Sequence, residues 1–252
     1  MPTLTIAAAQ SISVAGDLPG NIVRHLDFMA LAAEQGVQLL VFPELSLTGY
    51  EPELAAALAV APEAAVLQPL RDGARKLGLT AVVGIPLRMA PEGRVLIGAL
   101  VLAADGSLAV YSKQHLHPGE EQAFASGSGG DNLKFGDDAV ALAVCADFSQ
   151  ASHARAAAQS GASVYAAGVL VGESGYGVDS ALLQGYAREH RMLVLMANHG
   201  GPAGGWVSAG RSAIWGSHGE LIAAASGAGD QLVIARCTGQ AWGGRVVEVV
   251  GS

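Results

Sequence analysis

Three reactive side chains stand directly after apolar runs. Glu44 follows VQLLVFP, Lys113 ends SLAVYSK, and Cys145 ends AVALAVC. A carboxylate, an ammonium and a thiol at the ends of separate strands meet where α/β sheets gather their active sites. Their joint chemistry is acyl transfer. The carboxylate takes the thiol proton, the thiolate attacks an electrophilic carbon, and the ammonium stabilises the oxygen charge of the tetrahedral intermediate. A cysteine at a strand-to-helix junction is also expected to have its pKa lowered by backbone N–H groups, which double as oxyanion donors. Taken singly, each residue has a plainer reading: a small core thiol, a carboxylate beside a turn, a solvated strand end. Their conjunction is what points to catalysis.

The elements that must position them follow from periodicity. Residues 4–10 form a short apolar strand. Residues 17–36 form a helix in which Ile22, Leu26, Met29 and Ala33 recur at helical spacing, with Pro19 near its start and Gly36 at its end. The run 37–43 is apolar almost throughout, as in a strand covered on both faces. A helix over 62–77 and a strand over 79–86 continue the α/β alternation. Residues 94–104 and 107–113 read as a hairpin around Asp105-Gly106. Residues 115–138 are polar and Gly-rich, a long irregular excursion of the kind that is commonly functional. The α/β order then resumes: strand 139–144, helix 149–160, strand 164–170, helix 180–190 and strand 192–198. After a Gly-rich loop at 199–210, strands over 212–215, 221–225 and 232–235 close the chain. No linker-like stretch interrupts this order, which predicts a single domain over 1–252, with a mixed sheet or two packed sheets and helices outside.

Composition narrows the function classes. The 252 residues are 51% hydrophobic and 14% charged, which favours a packed core over disorder. Twenty-two acidic against 14 basic residues leave a formal charge of −8, a poor match for nucleic acid or anionic lipid. The two distant cysteines form neither a disulfide scaffold nor a zinc motif. The start of the chain does not read as a signal peptide, and no apolar run is long enough to span a membrane. These features predict a cytoplasmic protein without a membrane or nucleic-acid partner. No glycine-rich phosphate loop follows the first strand, so no nucleotide cofactor is expected. His115, His117 and Glu120 have metal-like spacing, but a Glu-Lys-Cys set needs no metal and none is expected.

With these motifs in their order, the chain resembles the nitrilase superfamily, the carbon–nitrogen hydrolases that use a Glu-Lys-Cys triad. FPEL resembles the general-base motif at Glu44, SKQHL the lysine motif at Lys113, and VCAD the nucleophile motif at Cys145. The family's second glutamate resembles Glu120, with Glu121 as the neighbouring register. ANHGG and SAGRSAIW resemble the segments that precede the family's last strands. The resemblance implies a four-layer α-β-β-α sandwich of two mixed sheets, no cofactor, and a homo-oligomer built from dimers. It implies a small amide as substrate, or alternatively an N-carbamoyl (ureido) compound; the rival reading is a catalytically idle interaction module. Cys-Ala-Asp, rather than Cys-Trp-Glu, argues against nitrile hydrolysis. Phe148 and Ser149 stand where an arginine would clamp a substrate carboxylate. Tyr50, His115, Ala146 and Trp206 are the candidate substrate-binding residues. The Ala146 N–H is the expected oxyanion donor, and Asp147 is expected to order the turn behind the nucleophile.

Overall fold

The computed structural model describes residues 4–239 and 241–250. In chain order the elements are β1 (Thr5–Gln10), α1 (Leu18–Glu34), β2 (Leu39–Val41), α2 (Ala55–Leu58), α3 (Gln68–Leu77), β3 (Thr80–Leu87), β4 (Leu96–Leu102) and β5 (Leu108–Ser112). The second half adds β6 (Leu133–Phe135), β7 (Asp138–Val144), α4 (Ala151–Gln159), β8 (Val164–Val169), α5 (Tyr176–His190) and β9 (Leu193–Asn198). It closes with β10 (Ala213–Trp215), β11 (Leu221–Ala224), β12 (Gln231–Thr238) and β13 (Ala241–Glu248).

These strands build two mixed sheets, ordered β13-β12-β1-β2-β3-β4-β5 and β11-β10-β9-β8-β7-β6. Parallel pairing of β1 with β2 and β2 with β3 is matched in the other sheet by β7 with β8 and β8 with β9. Strand alternation explains the layers. Along β1, Ile6 and Ala8 face the inter-sheet core with Leu39, Val41, Leu142 and Leu195. Ala7 and Ala9 face the other way, toward Phe28 and Met29 of α1 and Leu70 of α3. On the far side, Ala141, Ala143 and Tyr165 pack against Ala157 of α4 and Leu183 and Tyr186 of α5. The result is the four-layer α-β-β-α sandwich. Central strands buried on both faces are why their sequences read as unbroken apolar runs.

Asp17 caps α1 by accepting from the Gly20 N–H at 3.1 Å, so the helix begins one residue later than its pattern suggests. The helix expected over 62–77 enters through a single 3₁₀ turn at Ala65–Leu67 and becomes α-helical at Gln68. Helix α5 starts at Tyr176, four residues before the expected 180, because Gly175 and Gly177 weaken the helical signal there. Two edge strands go beyond the expectations: β6, inside the stretch expected to be irregular, and β13, where two adjacent glycines hide the alternation. Among the described residues no helix is long and apolar enough to cross a membrane.

Candidate active site

The first wall of the site is the turn after β2. Leu45 adopts φ +50, and the Leu47 N–H donates to the Gly84 carbonyl at 2.9 Å, which folds Glu44 back over the sheet end. The fit leaves no space for a side chain beside it. A Cβ on Gly84 would sit 2.3 Å from the Leu45 nitrogen, and one on Gly168 would sit 2.6 Å from the Phe42 carbonyl oxygen. Two buried histidines clamp the turn. His199 Nε2 donates to the Glu44 carbonyl at 2.7 Å. His25 donates from Nδ1 to the Asn21 carbonyl at 2.7 Å and accepts at Nε2 from the Ser46 hydroxyl at 2.9 Å. Ser46 Oγ in turn accepts the Gly84 N–H at 3.2 Å.

Lys113 follows β5 and is completely buried. Its Nζ donates to Glu44 Oε1 at 2.7 Å and to Glu120 Oε1 and Oε2 at 2.7 and 2.8 Å. Glu120 opens a 3₁₀ turn and is held further by the Tyr50 hydroxyl at 2.8 Å and the His117 N–H at 2.8 Å. Glu121 is exposed and accepts from the Gly119 N–H, so Glu120 is the glutamate that meets the lysine.

Cys145 leaves β7 at φ +42, a left-handed conformation that costs a side-chain-bearing residue energy and persists only where its surroundings hold it. Asp147, two residues on, supplies much of that support. Its Oδ2 accepts from the Val144 N–H at 3.1 Å and the Tyr111 hydroxyl at 2.7 Å. Its Oδ1 accepts from the N–H groups of Gln114 and His115 at 3.0 and 2.8 Å. One buried carboxylate thus joins the thiol's turn to the chain just past Lys113, which is the ordering role expected of it.

Cys145, Glu44, Glu120, Tyr50, Ala146 and Trp206 all line one cavity of about 250 Å³. Trp206 is half exposed at 51% and meets the His117 ring edge-on at its rim. His115 is not brought to this cavity. Its Nδ1 lies 3.1 Å from Asp147 Oδ1, and the residue faces a separate cavity beside Tyr111 and His153, because Asp147 captures the loop from behind. Asp179, in the first turn of α5, lines the catalytic-side cavity although its helix was not expected to start early enough to bring it there. His25 and His199 also escape sequence reasoning. Each contacts the Glu44 turn from far along the chain, and only the ANHGG segment hints at His199.

Burial and charge set the protonation states. Burial pushes the Glu44 carboxyl above its usual range, and Glu120 adds to this against the opposing pull of Lys113 and the Cys145 thiol. The Cys145 thiol is also pushed up, first by burial and then by Glu44, with Lys113 and a backbone hydrogen bond at Leu170 opposing. This corrects the expected lowering: the two carboxylates and the apolar walls outweigh the backbone dipoles. For Lys113, burial alone would lower the pKa, but Glu44, Cys145 and Glu120 together raise it, so the ammonium persists. Among the described residues Glu44 Oε2 is buried without a hydrogen-bond partner. A protonated thiol beside a carboxylate with a spare oxygen is arranged for proton transfer once an electrophile enters. No cluster of side chains suited to a metal ion occurs among the described residues.

A thiol and a carboxylate line one cavity, with an ammonium bonded to that carboxylate and buried behind it, a combination suited to hydrolysis. The chain belongs to the carbon–nitrogen hydrolase family, whose model matches residues 5–244. It is a carbon–nitrogen hydrolase of amidase-like structure. A cysteine-to-alanine variant of the amidase from Nesterenkonia sp. AN1, in complex with butyramide, is 30% identical, with the match covering 94% of this chain and 92% of that one at a TM-score of 0.84. A glutamate-to-glutamine variant of the same amidase, showing Michael addition of acrylamide at the active site cysteine, is 31% identical, with 92% of each chain covered and a TM-score of 0.82. The glutamine-dependent NAD(+) synthetase of Thermotoga maritima is 30% identical over 162 residues, which is 58% of this chain and 26% of that protein.

Proposed function

We propose that the protein hydrolyses the carbon–nitrogen bond of a small amide through a thioester on Cys145. The observation that carries this reading is the Lys113 ammonium, held 2.7 Å from both Glu44 and Glu120 beside the cavity that contains the thiol. Glu44 takes the Cys145 proton as sulfur bonds to the amide carbon. Lys113 and the Ala146 N–H receive the oxyanion, a contribution of about 3 kcal/mol per donor. The tetrahedral intermediate collapses as Glu44 returns that proton to the departing nitrogen, and ammonia or an amine leaves. Glu44 then takes a proton from water as its oxygen attacks the thioester, and thiolate departure with reprotonation restores the thiol. The raised pKa of Glu44 suits a group that must both accept and donate in one cycle.

The cavity supports a substrate of few atoms, being smaller than the pockets of about 300–1,000 Å³ that hold drug-sized ligands. The Nesterenkonia amidase in complex with butyramide supports the same class. In this reading the chain works as one catalytic domain in the cytoplasm, as its composition and unbroken α/β order suggest, and pairs as a homodimer, as its resemblance to the family implies.

Intact-protein mass spectrometry with a slowly hydrolysed amide tests the mechanism. The wild type is expected to carry an acyl adduct, Cys145→Ala none, and Glu44→Gln at most a slowly formed one. Near-wild-type ammonia release by Cys145→Ala, or an adduct on Cys237, overturns the mechanism.

A further inference from the structure

One charged wall of the cavity has no part in acyl transfer. Asp179 lines the cavity from the first turn of α5, beside Gly175. Its carboxylate is half-buried, and among the described residues no hydrogen bond or ion pair engages it. Burial raises its pKa, with no neighbouring cation to oppose the rise. A first-turn carboxylate interacts favourably with the helix dipole, but it does so equally when it faces bulk water. A carboxylate beside a confined cavity gives up part of its hydration there, and a bound ammonium returns hydrogen bonds and charge to it.

The remaining charges point the same way. Glu44, Glu120 and Asp179 give the cavity three carboxylates. The nearby ammonium, Lys113, is already shared between Glu44 and Glu120. At the cavity floor Glu44 Oε2 is a second, fully buried acceptor without a partner among the described residues. Neither lysine nor arginine is among the residues described as lining the space. Arg211, on the neighbouring loop, is paired with Glu173 and lies over the Tyr176 ring at 4.1 Å. A substrate carboxylate meets no lysine or arginine here, only the His117 ring beside Trp206, whereas a substrate ammonium meets Asp179.

We propose that Asp179 makes the enzyme selective for amides whose other end is a protonated amine on a short carbon chain. The amide end lies at Cys145 and Glu44, and the ammonium is bound by the Asp179 carboxylate through charge-assisted hydrogen bonds. This deepens the hydrolase reading above and rests on it.

The test compares kcat/KM for 4-aminobutanamide, for pentanamide (its neutral isostere) and for the anionic amide succinamate. The wild type is expected to prefer 4-aminobutanamide over pentanamide by tenfold or more and to use succinamate worst. In Asp179→Asn the ratio of the first two falls below threefold, and in Asp179→Lys the order of 4-aminobutanamide and succinamate inverts. Circular dichroism verifies the fold of each variant. Calorimetry on Cys145→Ala provides a second measurement, with 4-aminobutanamide binding at least tenfold tighter than pentanamide. Wild-type hydrolysis of pentanamide at least as efficient as that of 4-aminobutanamide, or an unchanged ratio in folded Asp179→Asn, overturns the proposal and leaves the hydrolase reading standing. Absence of ammonia and of any Cys145 adduct with all three amides overturns both.

Discussion

His199 Nε2 donates to the carbonyl oxygen of Glu44 at 2.7 Å, across 155 positions of sequence. That bond requires the imidazole to keep its proton on Nε2, and burial keeps the ring neutral by depressing its pKa to about 4. On the other side of the same turn, burial lowers His25 to about 3. The Glu44 turn is thus held by two rings that the fold does not allow to become charged.

The pH dependence of stability follows. Both histidines titrate lower in the folded chain than in the unfolded chain, where the ordinary value is about 6.5. Above that value their contribution to stability is fully present. As pH falls toward 4 the unfolded chain takes up protons that the folded chain refuses, so stability is lost. Urea unfolding of the wild type and of His25→Gln at pH 7.5 and pH 5 measures the difference. The variant is expected to lose less stability over that interval, by roughly 2 kcal/mol. Equal losses would show that His25 is not buried as a neutral ring.

Tyr50 and Glu120 form a graded pair. Glu120→Gln removes a charge from Lys113 and lowers kcat by 100-fold or more, within the range by which one preorganised electrostatic contact affects rate. Tyr50→Phe leaves the Glu120 carboxylate bound to Lys113 and to the His117 N–H. It removes one hydrogen bond to a charged group, worth about 1.5–3 kcal/mol, so the loss lies between roughly 10- and 150-fold. Steady-state ammonia release from butyramide measures both. A Tyr50→Phe loss greater than that of Glu120→Gln contradicts the arrangement.

Much of this site is legible in sequence because a reactive residue that ends an apolar run is conspicuous. Glu44, Lys113 and Cys145 are found that way, and Glu120 follows from resemblance to the family motif. What stays hidden is set by tertiary pairing. His25 sits on an amphipathic helix and resembles any partly polar helical position. His115 is expected at the cavity from its closeness to Lys113, but Asp147, 32 residues away, draws it to the opposite side. The α/β order predicts a mixed sheet or two packed sheets with helices outside, and the four-layer sandwich comes from the family resemblance, whereas β6 and β13 lie at sheet edges where periodic patterning is weak.

Gly84 offers a test of the backbone fit beside Glu44. A Cβ there would lie 2.3 Å from backbone atoms on both sides of that residue, and neither flank is a flexible side-chain tip. Gly84→Ala is expected to destabilise the fold by about 1–3 kcal/mol, the usual cost of overpacking, and to displace Glu44. Thermal unfolding together with ammonia release from butyramide reads both effects. A variant with unchanged melting temperature and unchanged rate would show that the turn yields without consequence.

Asp147 belongs to the turn after β7 in one sheet, yet two of its acceptor bonds reach the chain after β5 in the other. The nucleophile and its base likewise come from opposite sheets. During biosynthesis strands β1 to β5 of the first sheet are made before Cys145 emerges, but β12 and β13, which complete that sheet, come last. The thiol and the carboxylate proposed as its base are brought together only when the two sheets close on one another.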